Sequence, residues 1–310
     1  MSLVDRALVR VLPVVPRPLV RQVSSRYIAG SELADASAAV RALNSHGRMA
    51  TVDVLGEEIR SEDVTHAYAR AYEEVLAEID RRHLDSNISV KPTALGLQLD
   101  FDLCVANLRR LVHRAAMRDN FVRIDMEDAT TTDATLTLYR TLREGGFDAV
   151  GIVLQASLKR TIADIGALAD LKPSVRICKG IYVESPDIQY RDFDAVRKSF
   201  VASLAALVDA GCYVGIATHD EWLLDRAKRL VAERGLSRDE YEFQMLLGVR
   251  PRLGDVLLAE GHPLRIYVPF GSHWYEYAIR RLQENPSVAG YIASDTVGRL
   301  LHPRRNGVYG

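Results

Sequence analysis

The chain has 310 residues, 48% hydrophobic and 26% charged, which is ordinary globular composition and enough material for one large core. Formal net charge is −1 with both signs interspersed, so no global field draws the protein to nucleic acid or any other polyanion. Cys104, Cys178 and Cys212 lie in apolar stretches without the C-x-x-C spacing of zinc or redox sites, which points to a reducing compartment, and no apolar run reaches the roughly 20 residues of a membrane span.

The first 28 residues carry Arg6, Arg10, Arg17, Arg21 and Arg26 against one acid, Asp5, and are interrupted by Pro13, Pro16 and Pro18. They read as a basic helical preface, with a transit peptide or a membrane-surface helix as the alternatives. Short β-branched apolar runs then recur along the chain: Ala50 to Leu55, Ile88 to Val90, Phe121 to Asp125, Val150 to Gln155 and Val175 to Cys178. Three more follow, Tyr213 to Ala217, Tyr241 to Leu247 and Leu264 to Val268. Between them lie segments with apolar residues at helical spacing: Val64, Ala71, Val75 and Ile79; Leu108, Leu111, Val112 and Ala115; Leu158, Ile162 and Ile165. Further helices are predicted at Thr132 to Arg143, Asp194 to Ala210, Asp220 to Glu233, Leu253 to Glu260 and Ser272 to Gln283, the last ended by Pro286.

Eight strands alternating with eight helices predict a closed (βα)8 barrel of the TIM type rather than a doubly wound open sheet, whose G-x-G-x-x-G turn is missing. The predicted organisation is a helical preface over residues 1–45, a catalytic barrel over 46–289 and an unstructured tail over 290–310.

Barrel enzymes carry their chemistry where strands end. Lys91 closes the second run, Asp125 the third, Gln155 the fourth, Arg176 and Lys179 the fifth, Thr218 and His219 the sixth. Lys91 admits three readings, a Schiff-base nucleophile, a carboxylate partner or an exposed loop lysine; Lys179 admits the same three and a phosphate contact. Asp125, Glu127 and Asp128 form either a metal site or a helix N-terminal charge cluster, and the lack of a histidine at ligand spacing argues against metal. Asp220 suits a helix N-cap, and His219 is a site residue or a satisfied polar group. Tyr277, Arg280, Arg281 and Glu284 fall at i, i+3, i+4, i+7, one helix face, where two arginines either clamp a carboxylate or solvate the surface.

Together the strings SVKPTALGL, VRIDMED, IVLQA, VRICKGIY, IATHD, YEFQMLLG, VPFG and Y-x-x-R-R-L-x-E closely resemble the proline dehydrogenase family in its monofunctional bacterial form, over about residues 48–286. The resemblance implies an FAD enzyme that oxidises L-proline to 1-pyrroline-5-carboxylate, the first step of proline catabolism to glutamate, and passes electrons to a membrane quinone. It implies a cytoplasmic protein in peripheral contact with the inner face of the membrane, and a separate pyrroline-5-carboxylate dehydrogenase as partner.

Carried over residue by residue, Arg176 resembles the arginine facing the flavin N5, with Asp125 and Met126 close by. Gln155, Lys179, Gly180, Ile181, Thr218 and His219 resemble the remaining flavin contacts. Arg280 and Arg281 resemble the pair that binds the proline carboxylate, with Lys91 as further cation, Glu284 as anchor, and Tyr277 and Leu246 shaping the ring pocket. Ile181 stands where the family has a small residue and Val183 where it is often polar or aromatic, which bears on flavin packing and quinone access. No side chain stands out as the base that takes the amine proton. The competing classes are a Schiff-base aldolase, a methylenetetrahydrofolate-reductase-like flavin barrel, and an inert barrel serving as an interaction surface. The sequence does not fix the oligomeric state.

Overall fold

Each predicted strand run alternates between two kinds of residue, and the alternation decides where each side chain goes, because successive residues of a strand point to opposite faces. In the computed structural model, which describes residues 26–56, 59, 61–275 and 278, the strands form one closed parallel barrel in sequence order. Among the described residues the strands are β1 (Met49–Val54), β2 (Ser86–Val90), β3 (Val122–Ile124), β4 (Val150–Gln155), β5 (Ser174–Cys178), β6 (Tyr213–Ala217), β7 (Tyr241–Leu246) and β8 (Leu264–Phe270). Closure is made by β1 pairing with β8 from Met49 opposite Arg265 to Val54 opposite Phe270.

A helix α1 (Leu33–Asn44) precedes β1, and α2 (Glu62–Arg81), α3 (Phe101–Ala116), α4 (Thr132–Glu144), α5 (Thr161–Leu168), α6 (Phe193–Asp209), α7 (Glu221–Glu233) and α8 (Pro251–Ala259) follow the first seven strands in turn. The helix predicted after β8, at Ser272 to Gln283, lies mainly outside the described residues, as do residues 1–25 of the preface and the whole tail.

The apolar half of each strand faces the helices. Val52, Ile88, Ile124, Ile152, Ile177, Ile216, Phe243 and Ile266 are all buried, and with the inner faces of the helices they form the main hydrophobic core. The other half faces the barrel axis, and here the protein departs from the branched apolar layers usual for this fold. Asp53, Ser89, Arg123, Arg176, Glu242 and Gln244 are buried, and Ser89, Arg176 and Gln244 meet across the axis through their hydrogen bonds. The charges come in contact: Lys91 with Asp53 at 2.6 Å, Arg176 with Asp125 at 2.7 Å and Arg265 with Glu242 at 2.8 Å. Arg123 donates to the Ile152 and Ser174 carbonyls. Charges can be buried at such density only when paired and hydrogen-bonded.

Two predicted helix faces are corrected. In α2 Val64 is 38% exposed, while the buried stripe runs through Thr65, Ala69, Tyr72, Val75, Leu76 and Ile79. The stripe is rotated because Tyr72 reaches into the sheet and donates its hydroxyl to Asp53 Oδ1 at 2.9 Å. In α5 Ile162 is 46% exposed, and Thr161, Asp164, Ile165 and Leu168 take the inner face. Thr161 turns inward because its hydroxyl donates to the Gln155 carbonyl at the end of β4.

The described part of the preface packs on the barrel. α1 lies against β1 and β8, and Asn44 ties its end to the Asp85 backbone through both amide atoms. Upstream, Tyr27 and Ile28 are buried with Leu55 and Val249, and the Ala29 N–H donates to the Pro269 carbonyl, which stitches this segment to the C-terminal rim of β8.

Candidate active site

A cavity of about 260 Å³ opens at the C-terminal ends of β2 to β8. Lys91, Asp125, Met126, Gln155, Arg176, Lys179, Gly180, Ile181, Thr218, His219 and Leu246 all line it, so the structure brings together every sequence-predicted site residue that lies among the described residues. Tyr277, Arg280, Arg281 and Glu284 lie outside the described residues.

Arg176 forms the cavity's charged centre. It is 6% exposed, and Nη1 donates to Asp125 Oδ1 at 2.7 Å and to Ser89 Oγ at 3.1 Å, while Nε donates to Gln244 Oε1 at 2.5 Å. Its guanidinium carbon lies 5.3 Å from the centre of the Tyr267 ring, and the Tyr267 hydroxyl donates to Asp125 Oδ2 at 2.9 Å. Asp125 therefore accepts from Ser89, Arg176 and Tyr267 at once, which gives it an orienting role around the arginine.

The acidic run after β3 splits in three directions. Asp125 turns to Arg176; Glu127 accepts the Thr93 N–H at 2.9 Å and hydroxyl at 2.6 Å; Asp128 accepts the Thr130 N–H at 2.9 Å within its own turn. Burial raises the Glu127 carboxyl above its ordinary range, opposed by the Thr93 bonds. Glu127 thus holds the loop that follows Lys91, and the Gln155 amide donates to its carbonyl at 2.7 Å.

Both strand-end lysines are ion-paired, Lys91 with Asp53 and Lys179 with Asp220 at 3.5 Å, the reverse of the neutral amine that a Schiff-base nucleophile needs. Asp220 is the N-cap of α7, accepting from the Trp222 N–H, and Arg197 grips it with both Nε and Nη2.

Gly180 sits at φ +95°, and a Cβ there would lie 2.4 Å from Ser157 Oγ and 2.9 Å from Gln155 Oε1. The loop it opens is held down by Gln189, which donates to the Tyr182 carbonyl and to Ser157, and by Glu184, which accepts from the Ala129 N–H. Val183 on the same loop is 80% exposed and does not line the cavity.

His219 Nε2 accepts the Leu246 N–H at 3.0 Å, which fixes the neutral tautomer protonated on Nδ1. Burial, then the charges of Lys179 and Arg250, push its pKa down to about 3 from 6.5. The unfolded chain takes up this proton first, so the stabilisation is complete above pH 6.5 and is lost as pH falls from 6.5 toward 3. Wild type is expected to lose up to about 1.4 kcal/mol more per pH unit in that window than His219→Gln. Denaturant titrations at pH 7 and pH 5 check this; parallel losses in both proteins would contradict it.

Asp53, Ser89, Gln244 and Tyr267 were not among the residues expected from strand ends. Their signal is the two-residue period itself: Thr51 and Asp53, Glu242 and Gln244, Arg265 and Tyr267 put polar groups on alternate positions of otherwise apolar strands.

The family model for proline dehydrogenase matches residues 36–294. Proline dehydrogenase 1 of Bacillus subtilis (strain 168) is 36% identical over 267 residues, covering 86% of this chain and 88% of that protein. Proline dehydrogenase of Deinococcus radiodurans is 36% identical over 297 residues, covering 91% and 95%. Among solved structures, proline utilization A from Bdellovibrio bacteriovorus, inactivated by N-propargylglycine, aligns with a TM-score of 0.84 at 21% identity, over 93% of this chain and 38% of that one, a likeness of fold.

Proposed function

The chain belongs to the proline dehydrogenase family, and from that premise we propose that it oxidises L-proline to 1-pyrroline-5-carboxylate with FAD, delivering the electrons to a membrane quinone. The observation that carries the reading is Arg176, a buried guanidinium at the centre of a cavity walled by amides, cations and a bare glycine. That set suits a flat cofactor with a pyrophosphate tail: Gly180 lets its loop pack down on Ser157 and Gln155 at the cavity wall, Lys179 and the loop amides complement phosphate, and Gln155 and Thr218 offer neutral hydrogen bonds.

Bound in this cavity, FAD would supply a hydride acceptor for the ring carbon beside the proline nitrogen. The chain's own residues do the rest. Arg176 supplies positive charge where negative charge develops, and Asp125, Ser89 and Gln244 hold it without reorganisation during the reaction. Arg280, Arg281 and Lys91 would take the substrate carboxylate and fix the ring's register, with Glu284 as anchor and Tyr277 and Leu246 against the ring. The proline ammonium must first give up a proton to solvent, and the freed nitrogen lone pair then forms the C=N bond as the hydride leaves the adjacent carbon.

A quinone acceptor implies a cytoplasmic protein in peripheral contact with the inner face of the membrane, and an unstable imine product implies a separate pyrroline-5-carboxylate dehydrogenase to consume it. Vesicle binding unchanged by removal of residues 1–28 would count against lipid contact through the basic preface.

The deciding experiment is an anaerobic visible spectrum of the FAD-loaded protein before and after L-proline. Bleaching of the flavin band supports cofactor, substrate and reaction together; a flavin that ignores proline but is reduced by NADH would overturn the reading. Arg281→Ala is expected to raise the proline KM about tenfold to a hundredfold with normal FAD content, the effect of losing a charged hydrogen-bonding partner. Steady-state kinetics at saturating acceptor check it. Gly180→Ala drives a Cβ into Ser157 and Gln155 at positive φ and so displaces the cavity wall, for which the FAD Kd is expected to rise roughly tenfold. Fluorescence titration of the cofactor-free protein with FAD measures it.

A further inference from the structure

Arg176 is held by three side chains, of which Gln244 reaches it from β7 over Gly215 of the intervening β6. Gln244 Oε1 accepts from Arg176 Nε at 2.5 Å and Gln244 Nε2 donates to Glu242 Oε1 at 2.5 Å. Glu242 is 1% exposed and receives Arg265 Nε on both oxygens, at 2.8 and 2.9 Å, while Arg265 Nη1 donates to the Ala50 carbonyl at 2.7 Å. A continuous chain of charged and amide groups thus climbs the axis from the N-terminal end of β7 and β8 to the cavity.

The direction of the Gln244 amide is dictated by its neighbours. Its carbonyl must face the guanidinium and its NH2 the carboxylate, since the flipped rotamer sets donor against donor and acceptor against acceptor. Space for the amide is kept by Gly215 on β6, where a Cβ would sit 2.5 Å from Gln244 Nε2 and 3.0 Å from its Cδ. Two strands are therefore shaped around one side chain that touches the arginine from below.

We infer that Gln244 is a positioning residue for Arg176, transmitting the fixed orientation of the Glu242 and Arg265 ion pair to the guanidinium that faces the reacting cofactor. The role rests on the proposed function for its consequence in catalysis, and on geometry alone for its effect on Arg176. It distinguishes hydrogen-bond direction from side-chain volume: Gln244→Met keeps length and loses both bonds, and Gln244→Glu keeps the acceptor for Arg176 but sets two carboxylates against each other. The exchanged pair Gln244→Glu with Glu242→Gln restores the bond between positions 242 and 244 and the acceptor for Arg176, and leaves Arg265 Nε one of its two acceptors.

The test uses [15N]arginine-labelled protein, with the Arg176 Nε–H resonance assigned by its loss in Arg176→Lys, and anaerobic reduction of the FAD-loaded protein by proline. In wild type, in Gln244→Glu and in the exchanged pair the Nε–H is expected to be protected from solvent exchange; in Gln244→Met it is expected to exchange at least about tenfold faster. Flavin reduction is expected to slow about tenfold or more in both single variants and to return to within about threefold of wild type in the exchanged pair. Gly215→Ala, which displaces the amide without removing a hydrogen-bonding group, is expected to repeat the Gln244→Met signature should that variant fold poorly. A protected Nε–H in Gln244→Met, or unaltered flavin reduction despite its loss, overturns the inference. A wild type whose flavin ignores proline overturns the functional reading instead, and the arginine spectrum still decides whether Gln244 positions Arg176.

Discussion

Arg176→Met slows reduction of the FAD-loaded protein by proline about 10²- to 10³-fold, the loss typical of removing one preorganised charge-stabilising donor from a water-poor site. The side chain is 6% exposed and is fixed by Asp125, Ser89 and Gln244, so its charge reaches the cavity already oriented. Arg176→Lys recovers only part of the rate: one ammonium on a flexible stem cannot serve three acceptors set around a planar fork. Asp125 keeps the Ser89 and Tyr267 hydroxyls in either variant, so a folded protein is expected and the rate can be read. Stopped-flow absorbance of the flavin band against proline concentration measures it. A rate within about fivefold of wild type in Arg176→Met would remove the arginine from the reaction.

The barrel was legible because a parallel strand packed between helices and a filled axis needs β-branched residues on its outer face whatever the inner face carries. Val150 to Gln155 and Tyr213 to Ala217 coincide with their strands, while β8 runs on to Phe270, past the predicted Val268, where it pairs with β1 to close the barrel. Strand ends announced much of the site, since a lysine or histidine after an apolar run has few structural uses. Position within a strand was less legible. Asp53, Gln244 and Tyr267 sit inside their strands, and only the two-residue period separates an inward polar group from an outward one. The helix faces failed where a polar contact outweighed apolar count: Tyr72 turned α2 toward Asp53, and Thr161 turned α5 toward the Gln155 carbonyl.

These departures share a cause. The barrel axis holds paired charges where the fold ordinarily holds aliphatic layers, so residues that would otherwise be free to choose a face are drawn to the axis by hydrogen bonds. Such a column is costly to bury and weakly stabilising as a whole, but it leaves each cavity-facing cation with one permitted orientation. Electrostatic catalysis depends on that property, because a dipole that need not turn during the reaction adds nothing to the barrier.

The deepest member of the column gives the sharpest stability prediction. Asp53 is fully buried on β1 and accepts both Lys91 Nζ at 2.6 Å and the Tyr72 hydroxyl at 2.9 Å. Burial, then the charge of Asp53, raises the Tyr72 phenol well above its ordinary range, so it remains a donor at any working pH. Breaking a buried ion pair from one side destabilises by about 3–5 kcal/mol. For a chain of this length that corresponds to a Tm lowered by roughly 5–8 °C in Asp53→Ala. Asp53→Asn retains an acceptor for Tyr72 and loses only the charge, so it is expected to fall between Asp53→Ala and wild type. Thermal unfolding of the cofactor-free protein is the right measurement, because bound FAD would shift every Tm by mass action. A parallel rise in proline KM is expected, since the same substitution releases the lysine proposed to face the substrate carboxylate. A Tm within about 2 °C of wild type would mean that Lys91 is held by its surroundings rather than by Asp53, and a normal KM beside a lowered Tm would leave the ion pair structural and take Lys91 out of the substrate clamp.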